Sequence, residues 1–123
     1  YTESVHGLAQ WADFLIVTVA GGEQTRHFID ANVLDALGPT AFLINVARGS
    51  VVDERALVHA LQDGRIAGAG LDVYEDDPRP YPGLEAMDNV VLAPHIGSGT
   101  HATRHAMADW VLENIRTWPP VVR

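Results

Sequence analysis

Four residues with reactive side chains lie just beyond apolar stretches of this 123-residue chain: Arg48, Asp72, Asp77 and His95. A guanidinium presents planar, paired donors that match a carboxylate or the edge of a keto acid. An imidazole can give or take a proton near neutral pH. A carboxylate bonded to the far ring nitrogen fixes the tautomer and favours the imidazolium. Hydride transfer to a ketone needs a proton donor and stabilisation of the developing oxyanion. Arg48, Asp77 and His95 together offer both. Singly, each has a plainer reading. An arginine or histidine after a strand is commonly a surface or structural residue. Asp77 belongs to the acidic turn Glu75-Asp76-Asp77, and Asp72 can simply cap a loop.

Other groups carry less. His101 and His105 have helical metal-ligand spacing, but no glutamate stands at the catalytic position between them and no third ligand is evident. No metal is expected. Gly97-Ser98-Gly99 can receive a phosphate near a helix start, or can be a tight turn with a cap. Trp11, Trp110 and Trp118 read as core or contact aromatics.

The positioning elements alternate. Thr2 is expected to cap a helix from Glu3 to Trp11, followed by a strand at Phe14 to Ala20 and the break Gly21-Gly22. Asp30 caps a short helix that Gly38-Pro39 stops, and Ala41 to Val46 is a second strand. Asp53 caps the next helix, with Gly64 in the left-handed position after it. Ile66 to Val73 is a third strand, Val90 to Ala93 a fourth, and Ser98 to Thr100 offer caps for a long final helix. This is the pattern of an α/β fold with a parallel sheet covered on both faces by helices. Ligands of such sheets bind beyond the C-terminal strand ends. Those ends are Val19 to Gly22, Ala47 to Ser50, Asp72 to Asp77 and Pro94 to Gly99. Rossmann-like and flavodoxin-like sheets are not separated at this level.

Composition narrows the function classes. Sixteen acidic and 8 basic residues give a net charge of −8, with no basic patch for nucleic acid. An acidic substrate then needs a local cation, for which Arg48 is the candidate. No apolar run is long enough to span a bilayer, and the absence of cysteine excludes disulfides and thiolate metal sites. These features agree with a cytoplasmic enzyme that binds neither nucleic acid nor membrane.

Three blocks sharpen the reading. Asn45-Val46-Ala47-Arg48-Gly49-Ser50-Val51-Val52-Asp53 resembles the signature of the D-isomer-specific 2-hydroxyacid dehydrogenases. Ala67-Gly68-Ala69-Gly70-Leu71-Asp72-Val73-Tyr74 and Pro94-His95-Ile96-Gly97-Ser98 resemble the family's next two blocks, in the same order. The resemblance implies a Rossmann-like cofactor domain using NAD or NADP. It implies that Arg48 binds the carboxylate and carbonyl region of a 2-keto acid, and that His95 exchanges the proton with the substrate oxygen. It makes Asp77 the acidic partner of His95, and Asp72 a contact of the nicotinamide carboxamide. Val19, Ala47 and Gly97, with Arg48 and His95, fall in segments that line the cofactor. A homodimer is also implied. The family usually has glutamate where Asp77 stands, so this shorter side chain is expected to need a small backbone shift. Val19-Ala20-Gly21-Gly22 is similar to the variant of glyoxylate/hydroxypyruvate reductase-type members, which makes glyoxylate and hydroxypyruvate the candidate substrates. The competing readings are a non-catalytic dinucleotide-binding or interaction protein on the same fold, and an unrelated flavodoxin-like module.

The chain has no Gly-x-Gly-x-x-Gly fingerprint. Residues 1–118 are therefore expected to be the second part of a dinucleotide-binding domain, without its first two strands and without the substrate domain, and to be inactive alone. Residues 119–123 are assigned to a tail leading toward that substrate domain. In the sheet order 3-2-1-4-5-6, the runs seen here are assigned to strands 3 to 6, which places two missing strands between the first and second of them. The expectation is one part of a longer polypeptide, or a truncated product. For the longer polypeptide, intact mass spectrometry should give a value well above 13.3 kDa; a mass equal to it removes that version.

Overall fold

The computed structural model describes residues 2–118, so the tail assigned to 119–123 lies outside the described residues. Four strands form one parallel sheet in sequence order. They are β1 (Phe14–Val17), β2 (Phe42–Asn45), β3 (Gly68–Leu71) and β4 (Val90–Leu92). Each is shorter than its apolar run, because the run's last residues leave the ladder to build the rim. The helices are α1 (Val5–Ala9), α2 (Ala31–Leu37), α3 (Glu54–Gln62) and α4 (His101–Thr117).

The caps are mostly those the residue types dictate. Asp30, Asp53 and Thr100 accept the backbone N–H of Val33, Ala56 and Thr103 respectively. Gly64 takes the left-handed φ of 66° after α3. The first helix differs. Ser4, not Thr2, is its cap, accepting from Gly7 N, while the Thr2 hydroxyl donates to the Ser4 carbonyl. The cap lies two residues later, and the helix is shorter at both ends.

Strand order corrects a larger expectation. β1 and β2 pair along their whole length, Phe14 with Phe42 through Val17 with Asn45. The ladder extends past the strands, with Phe42 N donating to Asp13 O at 2.9 Å. Adjacent strands stand one hydrogen bond apart, so nothing fits between them. Further strands can add only beyond β1 or β4.

That order also decides where the helices go. Each strand is added on the same side of the last, and parallel crossovers are right-handed, so the connecting helices fall on one face. Leu15, Val17, Leu43, Ala69 and Leu71 point into the core with Leu34, Leu57 and Leu61 of the helices. The expected helical cover on the second face is absent among the described residues. Phe14 and Phe42 stack there with centroids 5.3 Å apart, and Ile16 is 58% exposed. α4 has no buried residue; Met107, Trp110, Val111 and Ile115 are all exposed, so its tryptophan is not a core aromatic here. No described helix is long and apolar enough to cross a membrane.

Neighbours on one strand should therefore behave oppositely. Leu15 is 4% exposed and Ile16 is 58% exposed. Leu15→Ala should cost about 3 kcal/mol in chemical denaturation of this chain. Ile16→Ala should cost less than about 0.5 kcal/mol. Equal losses would show that the outer face is covered.

Candidate active site

The first rim loop is built by Asn45. This polar residue ends an apolar strand and is 1% exposed. Its Oδ1 accepts Ala47 N and its Nδ2 donates to Arg48 O, both at 3.1 Å. The side chain thus replaces the ladder partners that the turning backbone loses. Arg48 leaves this turn exposed, its Nη1 donating to the Ala47 carbonyl at 2.6 Å. Among the described residues it forms no ion pair, so its charge is available to a ligand. The stem runs over Gly21 at the end of β1. A Cβ on Gly21 would stand 2.6 Å from Arg48 Cγ, so glycine gives the arginine its path.

Gly49 fits more closely. A Cβ there would lie 1.8 Å from the Tyr74 carbonyl carbon and 2.3 Å from Glu75 N. The arginine loop and the loop after β3 therefore meet backbone to backbone. Buried Tyr74 extends the join by donating its hydroxyl to Ala93 O at 2.6 Å. Burial, and then the charge of Asp72, raise the Tyr74 pKa, keeping it a donor at neutral pH.

Asp72 organises the histidine loop. Its two carboxylate oxygens accept the N–H groups of Ile96 and Gly97, each at 2.8 Å. His95 has φ of 54°, a left-handed conformation that costs a non-glycine residue about 1 kcal/mol. The charge-assisted pair of bonds offsets that cost. Gly97 allows the approach, since a Cβ would sit 3.0 Å from Asp72 Oδ2.

The turn sends the imidazole toward the third loop. Asp77 Oδ2 lies 2.5 Å from His95 Nδ1, and both side chains are partly exposed. The shorter aspartate makes the contact directly. Glu75 does not compete, because its Oε1 meets Arg26 Nη2 and His27 Nε2, each at 2.7 Å. Val19 stands apart from this dyad. It borders an apolar groove of about 770 Å³ beside β1 with Leu15, Val17, Thr18 and Phe28. Ala47 is buried in the turn, where it can offer only backbone and a methyl surface.

Three structural residues of the site were missed by sequence reasoning: Asn45, Tyr74 and Glu54. Asn45 had a signal, a polar residue inside an apolar run. Glu54 reads as an ordinary acid in a helix's first turn, yet it is 2% exposed and accepts Glu75 N at 2.8 Å.

Residues 1–97 match the model of the D-isomer specific 2-hydroxyacid dehydrogenase NAD binding domain. The chain belongs to this family. Among curated relatives it is 50% identical over 115 residues to glyoxylate/hydroxypyruvate reductase A of Arabidopsis thaliana, covering 94% of this chain and 37% of the relative. It is 47% identical over 115 residues to the 2-ketogluconate reductase of Gluconobacter oxydans, covering 94% and 37% of the two. The NADPH-dependent glyoxylate/hydroxypyruvate reductase of Sinorhizobium meliloti, solved with NADP and malonate, superposes with a TM-score of 0.88 at 49% identity. That match covers 98% of this chain and 38% of the solved one. The chain thus spans well under half the length of these relatives. It forms part of a Rossmann-like cofactor-binding domain, and the flavodoxin-like alternative falls.

Glu54 is the one buried carboxylate among the described residues. Burial is the main cause of the raised pKa of Glu54; the Glu75 N–H opposes it and the Glu75 charge adds to it. For an acid with a raised folded pKa, the stabilising contribution is fully present below the unfolded value. It is lost as pH rises through the folded value. The urea midpoint should therefore lose stability across a window that opens near pH 4.5, the ordinary value, and extends upward. Glu54→Gln should flatten that part of the profile, and an unchanged slope would refute the assignment.

Proposed function

We propose that the complete polypeptide carrying this chain reduces a small 2-keto acid to a 2-hydroxy acid, with glyoxylate and hydroxypyruvate as the candidate substrates. The observation that carries this reading is the Asp77–His95 pair at 2.5 Å on the rim that also bears unpaired Arg48. Arg48 follows β2 and His95 follows β4, two strand spacings apart in the sheet, about 10 Å. That gap suits a small acid held at one end by a cation and at the other by a proton donor. The similarity to glyoxylate/hydroxypyruvate reductases supports the substrate class.

The residues at the rim fit a nicotinamide dinucleotide, NAD or NADP. Asp72 spends one acceptor position on each oxygen, and a carboxylate has about four, leaving capacity for a carboxamide N–H. Exposed Val19 offers apolar surface, and Gly97 leaves backbone accessible. Val19, Ala47, Arg48, Asp72, His95 and Gly97 are the residues we assign to holding it. When bound in reduced form, this cofactor supplies the hydride.

The chain's own side chains do the rest. Arg48 pairs with the substrate carboxylate and stabilises negative charge developing on the carbonyl oxygen. His95 gives that oxygen the proton from Nε2. Asp77 holds Nδ1–H, fixes the tautomer and steadies the ring when it is charged. A homodimer is part of this reading. The apolar outer face of the sheet and the exposed residues of α4 offer surface to a partner copy and to the rest of the polypeptide.

Oxidation of NADH or NADPH by glyoxylate and hydroxypyruvate, followed with the complete polypeptide, tests the proposal. His95→Asn should lower kcat by about 10²–10⁴-fold, and Arg48→Gln should chiefly raise KM for the keto acid. Wild-type rates in His95→Asn would remove the assigned proton role. Cofactor binding without turnover of any keto acid would favour the non-catalytic alternative.

A further inference from the structure

The loop from Glu75 to Tyr81 carries Asp77, and little of that loop packs into the core. Asp76, Asp77, Pro78, Arg79 and Tyr81 are exposed. Its internal closure is modest: Arg79 N donates to Asp76 O at 2.9 Å, and the Arg79 and Asp76 side chains pair at 3.5 Å in the open. An exposed ion pair of that kind holds little. Yet Asp77 must meet His95 Nδ1 with a side chain having one rotatable carbon before its carboxyl. A short side chain has little reach with which to absorb a shift of its backbone.

The loop is held from beneath. Glu54 opens α3, beside the cap Asp53, and its carboxylate is buried at the foot of the loop. Its Oε1 accepts Glu75 N at 2.8 Å, two residues before Asp77. Tyr81, four residues after Asp77, lines the same hollow as Glu54. The first leg of the loop is therefore tied to a side chain that projects from the start of a helix, and the second leg passes beside it. A helix N-terminus also suits a buried anion. Gly49 presses on the first leg from the other side, so the chain at Tyr74–Glu75 is gripped between the arginine turn and Glu54.

We infer that Glu54 is a positioning residue for the Asp77–His95 pair: it sets the height of the Asp77 loop so that aspartate, rather than a longer acid, reaches the imidazole. This rests on the functional reading above only for its kinetic consequence. The geometric claim stands on the loop alone. Glu54 touches neither His95 nor the position assigned to substrate. Its effect passes through the Glu75 backbone.

The experiment uses the complete polypeptide. Glutamine at 54 replaces a charge-assisted acceptor of Glu75 N by a neutral one and brings a buried NH₂ group that needs an acceptor of its own. In Glu54→Gln the loop should ride away from β4 and the aspartate should lose the ring. The hydrogen-bonded His95 Nδ1–H proton resonance, followed by NMR without cofactor or substrate, should move upfield toward its position in Asp77→Asn. With keto acid, kcat should drop about tenfold while KM changes little. Adding Asp77→Glu to Glu54→Gln should recover most of both, because the longer side chain spans the slack. A purely structural loss would not be recovered by lengthening a distant exposed acid.

An unchanged His95 Nδ1–H resonance in Glu54→Gln, alongside a shifted one in Asp77→Asn, overturns the inference. So does a failure of Asp77→Glu to restore it. A shifted resonance in a polypeptide that turns over no keto acid keeps the inference and sinks the proposed function instead. Hydrogen exchange on the unaltered protein covers the case in which the variant does not fold. The Glu75 amide should be protected while the Asp77 amide exchanges freely, and fast exchange at Glu75 overturns the role of Glu54.

Discussion

Two loops from neighbouring strands touch backbone to backbone where Gly49 meets Tyr74 and Glu75, and the site is built outward from that contact. No side chain fits between them; a single methyl on Gly49 would stand 1.8 Å from a carbonyl carbon. On one side of the contact the turn made by Asn45 sends Arg48 into the open. On the other the chain continues to Asp77, and Tyr74 reaches across to Ala93, just before the histidine loop. A shift of either loop would move the cation relative to the acid. Close approach of two polar backbones is tolerable only because buried side chains satisfy the groups that the ladder no longer pairs. Asn45 and Glu54 do so, which explains two polar residues in an otherwise apolar interior.

Carboxylates take three distinct positions around this contact. Asp72 gives both oxygens to consecutive backbone donors and so shapes the turn on which His95 stands. Asp77 meets the ring itself. Glu54 lies beneath and accepts backbone alone. The division follows from depth. The deepest acid has its pKa raised by burial, the middle one trades its charge for a left-handed residue, and the outermost stays partly in water beside the imidazole.

The sheet leaves one face and one long helix without cover among the described residues. Strands added in one direction with right-handed crossovers place their helices on a single side, so the other side receives no helix through these loops. The Phe14–Phe42 stack and the exposed apolar residues of α4 mark that surface. The chain spans 37% of the length of the Arabidopsis thaliana relative.

By itself the sequence determined the parallel α/β character, three of the four helix caps and the rim positions of Arg48, Asp72, Asp77 and His95. Each of these depends on local chemistry: apolar period, a hydroxyl or carboxylate before a helix, a polar residue after an apolar run. The family blocks were legible for the same reason, being contiguous. Only the tertiary structure decided that β1 lies against β2, that one sheet face is bare, that Glu75 turns to Arg26 and His27, and that Glu54 is buried. Those facts depend on strand neighbours and loop packing between segments distant in sequence. No local pattern encodes them, because a first-turn glutamate has the same neighbours in sequence whether it faces water or a backbone N–H from a distant loop.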